Sequence, residues 1–315
     1  MFQDLLQSMR VVALPTKTNF RGIAVREVAL FKGEFGWGEF SPFLEYEADE
    51  CVPWLQSAIS AATKSTPKLF RKKIKVNGTI PAINEPAILE NIVKSFDGVN
   101  TFKVKVGDNL TEDIARIAKV RSLKPKAKIR IDVNGNWSVE TAVTNLRAIC
   151  ENIGEIEYVE QPCSTIDELK RLKDQVKIPV KIAGDEILRK AKDPLKLDLS
   201  GAVDILVLKV QPLGGIDRAI EIAKHHGLPV VISSALESAV GINYGLKLAG
   251  SIENLDFDCG LATGALLSAD LAHLPIIDGE IAITDFEPNF SDLEVSPDRY
   301  EWWKNRVLQT AEKIK

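Results

Sequence analysis

Cysteine and histidine are scarce in this chain of 315 residues. Its four cysteines, at positions 51, 150, 163 and 259, show no C-x-x-C spacing, and its three histidines are His225, His226 and His273. This pattern favours reduced, packed thiols over a disulfide or zinc framework. The adjacent histidines precede Gly227, which indicates the end of a helix more than a metal site.

Long apolar runs and an excess of charge of one sign are also absent. No apolar stretch approaches the roughly 18 residues of a membrane-spanning helix. The 40 basic and 44 acidic residues are interleaved, which leaves no extended positive surface for nucleic acid or anionic lipid. The N-terminal segment has no small-residue cleavage site. We therefore expect a cytoplasmic protein without a nucleic-acid or membrane partner, either a monomer or a small homo-oligomer.

A repeat of short β-rich runs occupies the middle of the chain. The runs begin about every 25 residues, near positions 76, 102, 128, 156, 180, 205, 230 and 255. Continuous apolar strands such as 203–208 are typical of a parallel sheet that is covered on both faces. Eight such strands predict a (β/α)8-type barrel. An open doubly wound sheet is the alternative, although residues 76–81 lack the glycine-rich phosphate turn that it would usually carry.

Both ends of the chain depart from this repeat. Residues 23–31 and 36–39 predict antiparallel strands, and residues 51–63 predict a helix, so residues 1–75 are expected to form an α+β capping domain. Residues 76–280 would form the barrel. The segment 281–315, which includes Trp302 and Trp303, would pack back on the capping domain because no barrel strand remains to pair with it.

Polar side chains stand where the predicted strands end. Reactive groups in such barrels lie at the C-terminal ends of strands, whereas residues within the strands fill a packed interior. A single charge there could be a solvated rim residue, but an ordered series across six strands favours a site. The series comprises Lys103, Lys105, Asp132, Asn134, Glu160, Asp185, Glu186, Lys209, Ser233 and Ser234.

The three carboxylates Asp132, Glu160 and Asp185 predict a metal site. Oxygen ligands from adjacent strands suit Mg²⁺, with Mn²⁺ as a possible substitute. The alternative is a set of salt bridges between these acids and the lysines, although burying so many charges for stability alone is often less favourable than apolar packing.

Two lysines on one strand predict a base. Lys103 and Lys105 share a face about 6.6 Å apart, and their repulsion of roughly 2.5 kcal/mol at an effective dielectric constant of about 20 lowers the pKa of one amine towards neutral. Lys209, across the rim, can place positive charge on the other face of a developing enolate.

The order of these motifs resembles a known family. Lys-x-Lys, Asp-x-Asn-Gly-x-Trp, Glu-Gln-Pro, Gly-Asp-Glu and Leu-Lys-x5-Gly, which begin at residues 103, 132, 160, 184 and 208, are similar to the muconate-lactonising subgroup of the enolase superfamily. Within that subgroup, residues 37–43 and 233–241 resemble the actinobacterial o-succinylbenzoate synthases.

The resemblance implies a capping domain over a (β/α)7β TIM-like barrel and a hydro-lyase activity. The reaction would be the Mg²⁺-dependent syn dehydration of 2-succinyl-6-hydroxy-2,4-cyclohexadiene-1-carboxylate to 2-succinylbenzoate, in menaquinone biosynthesis. Lys105 would remove the α-proton and later protonate the departing hydroxyl. Lys103 would tune the pKa of Lys105 and contact the carboxylate. Mg²⁺, held by the three acids, would stabilise the enediolate, and Lys209 would act from the opposite face.

Further residues are expected to contact the small carboxylate substrate. They are Asn134, Ser233, Ser234 and Glu237 at strand ends, Arg21 in a capping loop, and Gly214 at a helix start, where a plain turn is an equal alternative. An N-acylamino acid racemase or dipeptide epimerase would use the same lysines as opposed acid and base, and an inactive binding or structural barrel is the remaining alternative.

Overall fold

An antiparallel sheet and a helix form the N-terminal region of the computed structural model, which describes residues 2–20 and 22–314. After helix α1 (Phe2–Gln7), strands β1 (Arg10–Phe20), β2 (Ile23–Gly33) and β3 (Gly36–Phe40) form a three-stranded sheet, and α2 (Ala48–Thr63) packs against it. The predicted hairpin and helix are confirmed. The sequence analysis missed β1, whose pairing with β2 is antiparallel.

A curled parallel sheet forms the centre of the molecule. Its seven described strands, which pair in chain order, are β5 (Gly78–Ile80), β6 (Thr101–Lys105), β7 (Lys128–Asp132), β8 (Tyr158–Glu160), β9 (Ile182–Gly184), β10 (Ile205–Lys209) and β11 (Val230–Ser233). Cys259 pairs in parallel with Val76, and Gly260 pairs in parallel with Ser233. These two bridges close the ring between β11 and the start of β5. The predicted barrel is confirmed, but its eighth strand is reduced to a bridge at 259–260 rather than a full strand from about residue 255.

Helices cover the outside of the barrel: α3 (Pro86–Lys94), α4 (Leu110–Leu123), α5 (Val139–Ile153), α6 (Ile166–Gln175), α7 (Glu186–Arg189), α8 (Ile216–His226) and α9 (Ala239–Ser251). Ser138 caps α5 by accepting the Thr141 N–H, and Thr165 forms a capping box with Glu168. Helix α8 ends at His226 before the left-handed Gly227, as the sequence predicts.

The C-terminal part of the chain returns to the N-terminal region. Strand β12 (Glu280–Ala282) pairs antiparallel with β4 (Lys73–Lys75), and helix α10 (Pro297–Ala311) contacts α2. Trp303 is fully buried in an apolar cluster with Phe40 and Trp54. Both ends of the chain therefore build the cap over the barrel. Among the described residues, no helix is both long and apolar enough to cross a membrane.

Candidate active site

Strand register sets the charged residues at one level of the barrel rim. Lys105 on β6 lies beside Asp132 on β7, and Asp132 lies beside Glu160 on β8. On the far side, Lys209 on β10 lies beside Ser233 on β11. Because neighbouring parallel strands end at the same edge, side chains distant in sequence meet there.

Three lysines pair with the three predicted metal ligands. The Nζ of Lys103 lies 2.9 Å from Oε1 of Glu160 and 3.1 Å from Oδ2 of Asp132. The Nζ of Lys105 lies 2.6 Å from the same Asp132 oxygen. Across the barrel, the Nζ of Lys209 lies 2.5 Å from Oδ2 of Asp185. Each acid on the rim thus has an ammonium partner.

Lys105 and Lys209 approach the barrel centre from opposite sides. Strand β6, which carries Lys105, is separated by β7, β8 and β9 from β10, which carries Lys209. With the 259–260 bridge as an eighth position, the two strands face each other across the ring. The amines of Lys105 and Lys209 would therefore lie on opposite faces of a molecule bound between the two strands.

The two neighbouring lysines have opposite pKa shifts. Burial lowers the pKa of Lys105, and the charge of Lys103 lowers it further, whereas Asp132 opposes both effects. Burial also disfavours the charged form of Lys103, but Glu160 and Asp132 together raise its pKa well above the ordinary value. The repulsion that the sequence predicts between the two lysines therefore lowers the pKa of Lys105 and not that of Lys103, because Lys103 lies between two carboxylates.

The acids also differ from one another. Burial and the nearby Asp132 raise the pKa of Glu160 to about 7, against the opposing effect of Lys103. Although burial acts in the same direction on Asp132, Lys105 and Lys103 hold the pKa of Asp132 below its usual range. For Asp185, Lys209 and Arg189 outweigh burial and lower the pKa. Asp132 and Asp185 are therefore stabilised as carboxylates, whereas the charged form of Glu160 is disfavoured.

The donor set fits a hard dication, although its side chains do not form a ready cage. In the described part of the chain, no three His, Cys, Asp or Glu side chains are gathered so that they could hold a metal ion. Asp132, Glu160 and Asp185 each turn towards a lysine instead. Two buried oxygens, Oδ1 of Asp185 and Oε2 of Glu186, have no hydrogen-bond partner there. Buried carboxylates at the ends of adjacent strands supply the oxygen ligands that Mg²⁺ prefers, and the oxygen of Asp185 without a hydrogen bond belongs to one of them.

A small cavity of about 40 Å³ lies between the rim and the cap. Six of the residues predicted from the sequence line it, namely Lys103, Lys105, Asn134, Lys209, Ser233 and Ser234. The Oδ1 of Asn134 accepts a hydrogen bond of 2.8 Å from Lys105. The cavity is smaller than typical ligand pockets, which measure about 300 to 1,000 Å³.

Two of the predicted substrate contacts do not line the cavity, and a third lies outside the described residues. Glu237 is buried behind the cavity wall, where it accepts the Ala235 N–H at 2.6 Å, because the chain turns inward after Ala235. Gly214 lines an outer groove near Gln56, because the turn before α8 faces α2. This groove shares Trp54 and Arg189 with the cavity. Neither Glu237 nor Gly214 is among the residues lining the cavity. Arg21 lies outside the described residues.

The sequence analysis missed several residues that line the cavity. Phe43 and Trp54 come from the cap, and Arg189, Thr79 and Thr263 come from the barrel. Arg189 follows Asp185 by one helical turn, which was an available signal. Phe43 belongs to the family-like segment 37–43, but neither it nor Trp54 could be placed at the rim from the sequence, because only docking of the cap brings them there.

Fold and rim together define a capped barrel enzyme whose charged groups meet at the ends of parallel strands. Family models described as Enolase N-terminal domain-like and Enolase C-terminal domain-like match residues 11–62 and 88–288. The o-succinylbenzoate synthase of Mycobacterium ulcerans is 45% identical over 96% of this chain and 93% of its own length. That of Mycolicibacterium smegmatis is 43% identical over 96% of this chain and 95% of its own length. The chain belongs to the enolase superfamily and, within it, to the family of these relatives.

Solved structures share the fold at lower identity. A muconate lactonizing enzyme from Pseudomonas fluorescens superposes with a TM-score of 0.72 at 19% identity, covering 94% of this chain and 97% of its own. The L-Ala-D/L-Glu epimerase from Bacillus subtilis superposes with a TM-score of 0.73 at 22% identity, covering 91% and 98%. These likenesses concern the architecture alone.

Proposed function

We propose that the chain is an o-succinylbenzoate synthase that converts 2-succinyl-6-hydroxy-2,4-cyclohexadiene-1-carboxylate to 2-succinylbenzoate and water in menaquinone biosynthesis. The observation that carries this proposal is the placement of Lys105 and Lys209 on opposite sides of one buried cavity. The near full-length similarity to o-succinylbenzoate synthases supports the choice of substrate.

Lys105 is the proposed base. Its lowered pKa increases the neutral fraction that can accept a proton, and its amine lines the cavity. It takes the proton from the carbon next to the ring carboxylate and becomes an ammonium. When the C–O bond breaks, the same ammonium protonates the departing hydroxide, so water leaves and the ring becomes aromatic. One amine serves both steps, which requires the proton and the hydroxyl to leave from the same face.

Lys209 and Lys103 stay charged in this scheme. Lys209, paired with Asp185, supplies positive charge to the face of the substrate opposite Lys105. Lys103 is held as a cation by Glu160 and Asp132, so it keeps the pKa of Lys105 low and attracts the ring carboxylate. Asn134 accepts from Lys105 and orients its amine.

Asp132, Glu160 and Asp185 are the proposed ligands of Mg²⁺, with Mn²⁺ as a substitute. When bound, the dication would supply positive charge to the substrate carboxylate as negative charge develops beside it.

The direct test is an assay of 2-succinylbenzoate formation by the purified chain with Mg²⁺ or with EDTA. We expect product with Mg²⁺, loss of activity with EDTA, and recovery when Mg²⁺ is restored in excess. Absence of product with metal present contradicts the proposed reaction and leaves membership of the superfamily unaffected.

Racemisation or epimerisation of N-acylamino acids or dipeptides is a second candidate, because two opposed lysines can exchange a proton on either face of a carbon. Exchange of substrate hydrogen in D₂O separates the two reactions when Lys105→Ala and Lys209→Ala are compared. A dehydratase depends on Lys105 alone for exchange with the cyclohexadiene substrate. If deuterium enters one enantiomer of an N-succinylamino acid through Lys105 and the opposite enantiomer through Lys209, the result supports the racemase.

The remaining expectations are part of the same proposal. They are a domain division at residues 1–75, 76–280 and 281–315, a cytoplasmic location, and a monomeric or small homo-oligomeric state. Light scattering of the purified chain measures the oligomeric state.

A further inference from the structure

Arg189 differs from the three lysines of the cavity in its position. Four cationic side chains line the cavity in the part of the chain that the structure describes, and three of them are the lysines at strand ends. Arg189 instead ends the short helix α7 and reaches the cap, where its Nη1 donates to Oη of Tyr46 at 2.8 Å. It is therefore the cavity cation at the boundary between barrel and cap.

The guanidinium of Arg189 is buried but incompletely paired. Its side chain is 5% exposed, and its Nη2 donates to Oε1 of Glu186 at 2.7 Å. Its Nε has no hydrogen-bond partner among residues 2–20 and 22–314. Oδ1 of Asp185 lies 3.4 Å from that nitrogen and is likewise without a hydrogen bond. The N–H at Nε therefore has only a long ion pair in place of a hydrogen bond, and Nη1 and Nη2 each keep one N–H beyond their bonds to Tyr46 and Glu186. A ligand carboxylate that reached the guanidinium would satisfy these buried donors.

The substrate of the proposed reaction has two carboxylates. The ring carboxylate lies next to the carbon that loses its proton, so it belongs near Lys103 and Lys105. The second carboxylate ends a flexible succinyl arm. Phe43 and Trp54 of the cap line the same cavity as Arg189 and present apolar surface along which the carbon atoms of such an arm can lie.

We propose that Arg189 binds the distal carboxylate of the substrate and thereby selects a dicarboxylate; this inference rests on the proposed function. The planar fork of an arginine matches a carboxylate with two parallel hydrogen bonds, which a lysine cannot offer. Arg189 touches neither the proton nor the hydroxyl that leaves, so its contribution is to binding and specificity.

Calorimetric binding of two ligands in the presence of Mg²⁺ tests this role. The ligands are 2-succinylbenzoate and 2-butanoylbenzoate, in which a methyl group replaces the distal carboxylate. In Arg189→Met we expect the affinity for 2-succinylbenzoate to fall by about tenfold to a hundredfold, with less than about a threefold change for 2-butanoylbenzoate. Arg189→Lys should retain part of the lost affinity, because it keeps the charge without the fork.

Arg218→Met is the matched control. Arg218 lines the outer groove rather than the cavity and pairs with Asp193 and Glu221, so its loss should leave both affinities unchanged. An equal loss for both ligands in Arg189→Met assigns Arg189 to structural support and overturns the inference, as does an unchanged affinity for 2-succinylbenzoate.

Two further outcomes are distinguishable. If thermal unfolding shows that Arg189→Met is unfolded, Arg189→Lys takes its place in the binding experiment. A loss of affinity confined to 2-succinylbenzoate then supports the inference, and equal losses of affinity for both ligands overturn it. A wild-type chain that neither forms nor binds 2-succinylbenzoate contradicts the proposed function itself and this inference with it.

Discussion

Glu237 is an ionisable residue that lies close to the cavity but does not line it. It is fully buried beside the loop that lines the cavity, and burial together with the nearby Glu39 raises the pKa of Glu237 to about 7. The Ala235 N–H and the charge of Arg26 oppose that rise. Because its pKa is raised in the folded chain, Glu237 should contribute to the pH dependence of stability.

Replacing Glu237 by Gln should weaken the pH dependence of stability. Because the folded pKa of about 7 exceeds the ordinary value of 4.5, the unfolded chain releases this proton first as pH rises. The free energy of unfolding therefore falls between those two values. Glu237→Gln removes this loss, so from pH 5 to pH 8 its stability should improve relative to the wild type by about 2 to 3 kcal/mol, measured by urea unfolding.

The control for this prediction is Glu151→Gln, which alters an exposed residue on α5. Its stability relative to the wild type should be the same at both pH values. Asp270, whose pKa burial also raises to about 7, remains in Glu237→Gln, so part of the wild-type pH dependence should persist. Parallel pH profiles for Glu237→Gln and the wild type would contradict the prediction.

At the scale of elements, Gly38 allows strand β3 to lie very close to helix α2 in the cap. A Cβ added at Gly38 would stand 1.9 Å from the carbonyl oxygen of Ala58. This neighbour is helical backbone and cannot rotate away as a side chain can. Glycine at this position therefore allows the strand and the helix to pack in direct contact.

Gly38→Ala should destabilise the fold by about 1 to 3 kcal/mol, because the strand and helix must separate to accommodate the methyl group. Urea unfolding at constant pH measures the change. Gly107→Ala is the matched control, since a Cβ there meets no atom within 4 Å, and it should alter stability by less than about 0.5 kcal/mol. Equal stability of the two variants would show that the cap tolerates the added volume.

Local signals explain which elements the sequence predicts well. The Ser138 cap and the Thr165–Glu168 capping box depend on residues within one helical turn, and both are present. The bridge at 259–260 shifted because its pairing partners are distant in the chain. Val76, for example, pairs with Cys259 across almost the whole barrel sequence. Strand β1 pairs with the adjacent β2, so distance along the chain does not account for its omission.

At the scale of the whole molecule, the cavity depends on both ends of the chain. Arg306 on α10 donates to the carbonyl oxygens of Phe43 at 2.8 Å and Tyr46 at 2.7 Å. Phe43 lines the cavity, and Tyr46 contacts Arg189. The C-terminal helix thereby supports the part of the cap that faces the barrel rim.

The sequence by itself determined the barrel and the charged residues of its rim, because a regular strand interval and the parallel direction of the strands place Lys105, Asp132, Glu160 and Lys209 at one edge. Tertiary structure alone decided which lysine has the lowered pKa, since that depends on Lys103 lying between two carboxylates. It also decided that Arg189 joins the cavity and Glu237 does not. The helical spacing from Asp185 places Arg189 near the rim, but whether a side chain lines the cavity depends on docking of the cap and on burial, which the local sequence does not encode.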